Sequence, residues 1–177
     1  MDSCSRHGYT TDRGGTIMRA TEVLKKDHAH VKEMFAELEE MSATAGKARQ
    51  ELLDRIAEEL EIHTKIEEEI FYPAVQKVSS RIQHAKEEHA RVASLLGDVE
   101  GRDPASAEFM AGVRELKTAV MHHVAEEEGP IFEEAARLGD PELERLGARL
   151  AERKDAVKTS PVQRGVRAVK QAARKIA

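Results

Sequence analysis

The sequence predicts an all-α protein, built as an up-down-up-down four-helix bundle with a helical extension at its C-terminus. Apolar residues recur every three or four positions along four long segments, which is the spacing of the buried stripe of a helix. Short polar segments separate these stretches, and short connections favour antiparallel neighbours. Aromatic residues make up only 3% of the 177 residues and Trp is absent, so we do not expect a strand-rich core.

Each of the four predicted helices is defined by its own apolar stripe. These helices cover residues 21–41, 47–78, 81–99 and 105–138. Proline follows the buried polar residues of the second and fourth helices, at Pro73 and Pro130. Because proline removes a backbone N–H from a helix interior, we expect each helix to be kinked or disturbed just past those residues.

The bundle is expected to occupy residues 17–138, between two segments of different composition. Residues 1–16 are rich in Gly, Ser, Thr and Asp and lack apolar periodicity, so we expect a disordered tail. Residues 139–177 carry two further apolar stripes at helical spacing and are expected to be helical. The first of these stripes consists of Leu143, Leu146 and Leu150.

Charge is distributed unevenly along the chain. The net charge is −5 overall, but residues 152–177 carry eight Lys or Arg and two acidic residues, or +6, which leaves −11 for the remainder. The basic segment is expected to form a helix that packs on the bundle or frays from it. An alternative is a basic amphipathic helix that contacts an acidic partner or an anionic membrane surface. We predict no nucleic-acid binding, since no base-stacking aromatic residues accompany the charge.

Each of the four helices places a histidine on its buried stripe, and two of them add a glutamate one turn later. Residues i and i+4 of a helix share a face, so each His-x-x-x-Glu can present an imidazole and a carboxylate to one point. A buried carboxylate needs a cationic partner, and a transition metal, with iron favoured, can supply that charge. The predicted metal-ligating residues are His28, His63, Glu67, His89, His123 and Glu127.

Other residues are less suited to this site. His30 and His122 each lie one residue away from a stripe, about 100° around the helix. His84 lies five residues before His89, which leaves open whether it is solvated, supports the site indirectly or is a ligand.

The single cysteine, Cys4, excludes Cys-ligated zinc and iron–sulfur sites within the chain. The Glu-x-x-His motif of ferritin-like di-iron bundles is also absent.

The segments DHAHVKEMF, HTKIEEEIFYP, EEHARV and HHVAEEEGPIF resemble the hemerythrin-like, or HHE cation-binding, domain family. The resemblance covers about residues 20–135 and all four helices. It implies a non-haem, oxo-bridged centre of two iron ions that binds O2 or related small ligands. On this resemblance the four histidines would be terminal ligands and the two carboxylates would bridge: His28, His63, His89 and His123, and Glu67 and Glu127.

The sequence departs from the oxygen-carrying members of that family at one position. Those proteins have a fifth histidine one turn before the ligand of the third helix, where this chain has Ala85. The resemblance therefore implies an open coordination position, which water or His84 could fill. Such a centre favours redox reactions with O2, peroxide or NO over reversible carriage of O2.

Three functions are compatible with these observations. The first is a di-iron protein that binds or senses O2 or handles peroxide or NO, with enzymatic turnover left open. The second is a metal-stabilised signalling or interaction bundle, and the third is an iron-storage or ferroxidase protein. No apolar run approaches the roughly 20 residues of a membrane span, and the N-terminus lacks the apolar segment of a signal peptide. We therefore expect a cytoplasmic protein.

Overall fold

Five long helical stretches account for the fold of residues 18–160, the part of the chain that the computed structural model describes. No strand occurs in this part of the chain, which confirms the predicted all-α class. The predicted tail of residues 1–16 and the basic stripe within residues 162–176 lie outside the described residues. The helices are α1 (Ala20–Glu40), α2 (Gly46–Ile66), α3 (Tyr72–Val75), α4 (Ile82–Glu100), α5 (Ala107–Glu126), α6 (Phe132–Ala135) and α7 (Asp140–Lys158).

The predicted four-helix bundle is confirmed. Each of its helices begins within two residues of the predicted start. Helix α1 packs against α2 and α5, and α4 packs against the same two helices, so the four long helices form a closed ring of neighbours. The start of α5 is set by Ser106, whose hydroxyl accepts a hydrogen bond from the N–H of Phe109 at 3.0 Å. Such a cap satisfies a backbone donor that the first helical turn leaves unpaired.

The second helical stretch contains a wider, π-helical turn at Glu67–Phe71, between α2 and α3. The N–H of Tyr72 donates to the carbonyl oxygen of Glu67, a bond that spans five residues instead of four. Pro73 follows directly and has no N–H to contribute to an α-helical ladder. The predicted disturbance is therefore confirmed, but it begins at Glu67 itself and not beyond it.

The fourth helical stretch has a second π-helical turn, Glu127–Ile131, between α5 and α6. Here the N–H of Phe132 donates to the carbonyl oxygen of Glu127. Gly129 departs from helical geometry, with a ψ of −106°, immediately before Pro130. The two helices with His-x-x-x-Glu thus share one local feature, a wide turn that starts at the glutamate.

The apolar core forms two clusters, and a layer of buried polar side chains lies between them. One cluster includes Leu24, Ile66 and Phe71, together with side chains from α7. The other fills the opposite end of the bundle and includes Phe35, Ile56 and other residues from α1, α2, α4 and α5. The candidate metal-ligating residues belong to the buried polar layer.

Helix α7 packs against α1 and α2 along the outside of the bundle. Its predicted stripe is buried: Leu143, Leu146 and Leu150 are at most 3% exposed. Gly139, with a φ of +83°, turns the chain just before this helix, a conformation that glycine adopts without strain. None of the helices in residues 18–160 is long and apolar enough to cross a membrane.

We predict that Gly147→Ala destabilises the protein, because a Cβ at this position of α7 would lie 2.0 Å from the carbonyl oxygen of Met18. The expected loss is about 1–3 kcal/mol of unfolding free energy, measured as a lower thermal midpoint by circular dichroism. Gly97→Ala is the matched control, since nothing lies within 4 Å of its Cβ. The control should stabilise α4 by about 0.5–1 kcal/mol. Equal midpoints for both variants would show that α7 does not pack as described.

Candidate metal centre

The structure brings all six predicted ligand residues together in one buried layer. The four histidines are 4–6% exposed and the two glutamates are 0% exposed. Two groups of potential ligand atoms form, each with all its atoms within 4.8 Å of one another. The first group consists of His28, His63, Glu67 and Glu127, and the second consists of Glu67, His89 and His123.

The histidines form two pairs whose Nε2 atoms face each other. The Nε2 atoms of His28 and His63 are 3.1 Å apart, and those of His89 and His123 are 3.2 Å apart. Helix α1 and helix α2 supply the first pair, and α4 and α5 supply the second. Each pair therefore joins one single histidine to the histidine of a His-x-x-x-Glu motif.

Glu67 lies between the two histidine pairs. Its Oε1 is 3.1 Å from Nε2 of His63, and its Oε2 is 3.2 Å from Nε2 of His89. Oε1 is buried and has no hydrogen-bond partner in the described part of the chain. One carboxylate thus presents one oxygen to each pair, which is the geometry of a bridging ligand.

Glu127 lies on the opposite side of the same space. Its Oε2 is 3.2 Å from Nε2 of His28 and 3.9 Å from Nε2 of His123. Both of its carboxylate oxygens are buried without a hydrogen-bond partner among the residues described. Because leaving a buried carboxylate unpaired is costly, these oxygens fit a cation. The imidazole and carboxylate donors suit a first-row transition metal.

The pKa shifts describe a cluster that must hold protons when no cation neutralises it. Burial lowers the pKa of His63, but the carboxylates of Glu67, Asp27 and Glu127 together outweigh burial and raise that pKa to about 10. Burial and the charge of His63 lower the pKa of His28 to about 4. Burial and the charge of Glu67 raise the pKa of Glu127 well above its usual value. A bound cation can take the place of these shared protons.

Carboxylates outside the cluster hold the outward-facing nitrogen of three of the histidines. An imidazole that donates from Nδ1 presents an unprotonated Nε2 to the site, and such partners orient metal-bound histidines. Asp27 takes the corresponding position beside His63, but its carboxylate lies 3.9 Å from Nδ1 of His63, beyond hydrogen-bond distance. The hydrogen-bonded Nδ1 pairs are His28–Glu128 at 2.9 Å, His89–Glu68 at 3.1 Å and His123–Glu88 at 3.2 Å.

These outer carboxylates follow a twofold pattern. Asp27 and Glu88 each precede a single histidine in the sequence and face the histidine of a His-x-x-x-Glu motif. Glu68 and Glu128 each follow a glutamate of the cluster and face a single histidine. The pattern relates helices α1–α3 to helices α4–α6 by a pseudo-twofold repeat.

Tyr72 belongs to the site and was missed by the sequence analysis. Its hydroxyl is 3.3 Å from Nε2 of His89 and 3.4 Å from Oε2 of Glu67. Its ring stacks on the imidazole of His89, with centroids 5.5 Å apart. Burial, followed by the charges of Glu67 and Glu127, raises the pKa of the Tyr72 phenol. This buried hydroxyl is the polar group that distinguishes the second histidine pair from the first.

Phe132 takes the corresponding position beside the first pair. Its ring stacks on the imidazole of His28, with centroids 6.3 Å apart. Phe132 and Tyr72 each follow a glutamate of the cluster by five residues, and the π-helical turns bring both rings back over the site. Because only one of the two rings carries a hydroxyl, the two halves of the cluster are chemically different.

The structure also shows where His84, His122 and Ala85 lie relative to the cluster. The side chain of His84 is 62% exposed and points to Glu88, 3.8 Å away, so it does not reach the cluster. His122 is 66% exposed, and its Nδ1 donates a hydrogen bond to the carboxylate of the same glutamate at 2.7 Å. Ala85 is buried in the apolar cluster that includes Tyr72. The Tyr72 hydroxyl lies 3.3 Å from Nε2 of His89, and the open coordination position beside His89 stays a prediction.

A small cavity of about 20 Å³ borders the layer of histidines. All four histidines of the cluster line it, and its remaining walls are largely apolar. A volume of this size holds about one water-sized molecule. The apolar residues of its wall are Val31, Leu60, Val92, Val120 and Val124.

Comparison with known proteins identifies the family. Residues 19–135 match the family described as Hemerythrin HHE cation binding domain. The chain is 26% identical over 147 residues to an uncharacterized protein of Mycobacterium tuberculosis, covering 82% of this chain and 91% of that protein. The crystal structure of a homolog of that protein from Mycobacterium kansasii, described as containing a Hemerythrin HHE cation binding domain, superposes with a TM-score of 0.72 at 28% identity. It covers 78% of this chain and 86% of that chain.

A larger relative shares the same region. A DNA nickase of Nostoc sp. is 31% identical over 117 residues, which are 65% of this chain. The matched region spans only 33% of the nickase, so the likeness concerns one part of that protein. Because the family match covers most of the described bundle, the chain belongs to the hemerythrin HHE cation-binding family.

We predict that Tyr72→Phe leaves the fold and the bound metal in place but changes the second half of the site. The variant keeps the ring that stacks on His89 and removes the hydroxyl near Glu67. The visible spectrum and the azide affinity of the metal-loaded protein should therefore both change, as measured by absorption titration. An unchanged spectrum with unchanged azide affinity would show that the hydroxyl has no part in the site.

Proposed function

We propose that this member of the hemerythrin HHE family is a non-haem di-iron protein that binds O2 or reacts with peroxide or NO. The observation that carries the proposal is Glu67, whose two oxygens lie 3.1 and 3.2 Å from histidines of opposite pairs. A single carboxylate placed in this way is suited to join two metal ions. The proposed ligands are His28 and His63 for one ion, His89 and His123 for the other, and Glu67 and Glu127 as bridges.

The composition of the cluster supports iron over zinc. A structural zinc site has four ligands in a closed tetrahedron, often with cysteine. This cluster offers four imidazoles and two carboxylates, together with the Tyr72 hydroxyl. Such a set exceeds the needs of one zinc ion, and mixed nitrogen and oxygen ligands suit non-haem iron.

When bound, two iron ions supply the one- and two-electron redox chemistry that O2, peroxide and NO require. The residues of the chain determine how such a molecule meets them. Glu68, Glu88 and Glu128 hold three of the histidines in orientation. Tyr72 keeps a proton within 3.3 Å of His89, so it can donate a hydrogen bond to a small ligand at that position.

The small cavity favours a ligand-binding role over a purely structural metal site. A structural site is closed around its metal, whereas here a cavity of about 20 Å³ borders all four histidines. Its largely apolar wall suits a small, weakly hydrated molecule and disfavours bulk water. The cavity therefore supports binding of an apolar molecule such as O2 or NO over a bundle that uses its metal only for stability.

The proposal is tested by metal analysis and absorption spectroscopy on the full chain produced with ample iron. We expect about two iron atoms per chain and charge-transfer bands that shift on addition of azide or peroxide. The reason is that six ligand residues around two histidine pairs can hold two ions. One zinc ion and no iron under these conditions, or bands that never respond to added ligands, would contradict the proposal.

A further inference from the structure

A groove of about 600 Å³ runs along the outside of the bundle between α2 and α4. These two helices pack less closely than the other neighbouring pairs of the ring. The apolar residues that line the groove include Ala57, Ala93 and Leu96. His89 is one of the residues that line the groove, so the groove borders a predicted ligand of the metal centre.

The groove and the small cavity above the histidines share part of their walls. Leu60, Thr64, Val92 and His89 line both spaces. The surface groove is therefore separated from the cavity by the side chains of a single layer. A small molecule that enters the groove needs only minor motion of these side chains to reach the four histidines, and such side-chain motion is fast.

The rim of the groove is acidic. The charged residues that line it are Glu61, Glu68, Glu69, Glu100 and Lys65, so acids outnumber bases by four to one. Glu69 pairs with Arg153 at 2.7 Å, and Glu68 contacts Nδ1 of His89 at 3.1 Å. A cleft lined by one sign of charge focuses the potential and repels ions of the same sign.

We propose that the α2–α4 groove is the entrance to the metal centre and that its acidic rim selects small neutral molecules over anions. This inference rests on the proposed function, since it assumes a ligand that reaches the centre. The cavity of about 20 Å³ has room for about one water-sized molecule, so it suits a small ligand. The preferred ligand is then an uncharged small molecule such as O2, NO or hydrogen peroxide, which should enter faster than an anion such as azide, nitrite or superoxide.

The charge selection is tested by stopped-flow absorption on the oxidised, iron-loaded full chain, with azide as the anion and hydrogen peroxide as the neutral ligand. At constant pH, azide association should accelerate as salt is added, because salt screens the repulsion between azide and the acidic rim. The association rate of peroxide, which is uncharged, should not change with salt. Glu61→Lys changes the local charge by two units and should raise the azide rate on the order of fivefold. Glu144→Lys, an exposed position on α7 outside the groove, is the matched control and should leave both rates unchanged.

The route itself is tested by narrowing it at two points. Ala93→Phe places an aromatic ring in the groove. Thr64→Leu places a larger side chain in the wall that the groove and the small cavity share. Both variants should bind iron as the wild type does and should slow the association of azide and of peroxide alike. Because Ala93 lines only the outer groove, its variant also serves if Thr64→Leu disturbs the neighbouring His63.

The possible outcomes separate this inference from the proposed function. Peroxide rates that stay at the wild-type value in both narrowed variants would overturn the groove as the entrance. Equal azide rates in Glu61→Lys and Glu144→Lys would overturn the charge selection. An iron-loaded wild-type protein that binds neither ligand would instead contradict the proposed function, on which the entrance depends.

Discussion

The burial of two carboxylates without enough hydrogen-bond donors is the constraint on which the rest of the site depends. Glu67 and Glu127 are fully buried, and three of their four oxygens have no hydrogen-bond partner in residues 18–160. Four imidazoles surround them, so protons or metal ions must supply the missing positive charge. The apolar clusters on either side keep water away, which makes that requirement stricter and the interaction with a cation stronger.

The π-helical turns place an aromatic ring over each half of the site and make the two halves chemically different. Each turn begins at a glutamate of the cluster and brings an aromatic ring, Tyr72 or Phe132, back over a histidine. In a regular α-helix, residue i+5 lies about 140° around the helix axis from residue i, so its side chain would point away from the site. The repeat thus produces two similar half-sites, and a single hydroxyl makes them different. Wide turns of this kind are frequent at functional sites.

The regular part of this architecture could be predicted from the sequence, because it follows from the helical period. Spacings of three and four residues locate the helices, and they distinguish His123, which is buried, from the exposed His122. Tyr72 could not be found in that way, since it faces the cluster only through the π-helical turn. Glu68 lies in an acidic run that looks solvent-exposed, and its contact with His89 depends on tertiary packing. The α2–α4 groove likewise has no signal within any one helix.

Anomalous diffraction at the iron absorption edge, on crystals of the iron-loaded full chain, tests the central claim most directly. We expect two iron peaks, one beside Nε2 of His28 and His63 and one beside Nε2 of His89 and His123, with the carboxylate of Glu67 between them. A single peak, or peaks away from these six residues, would contradict that claim.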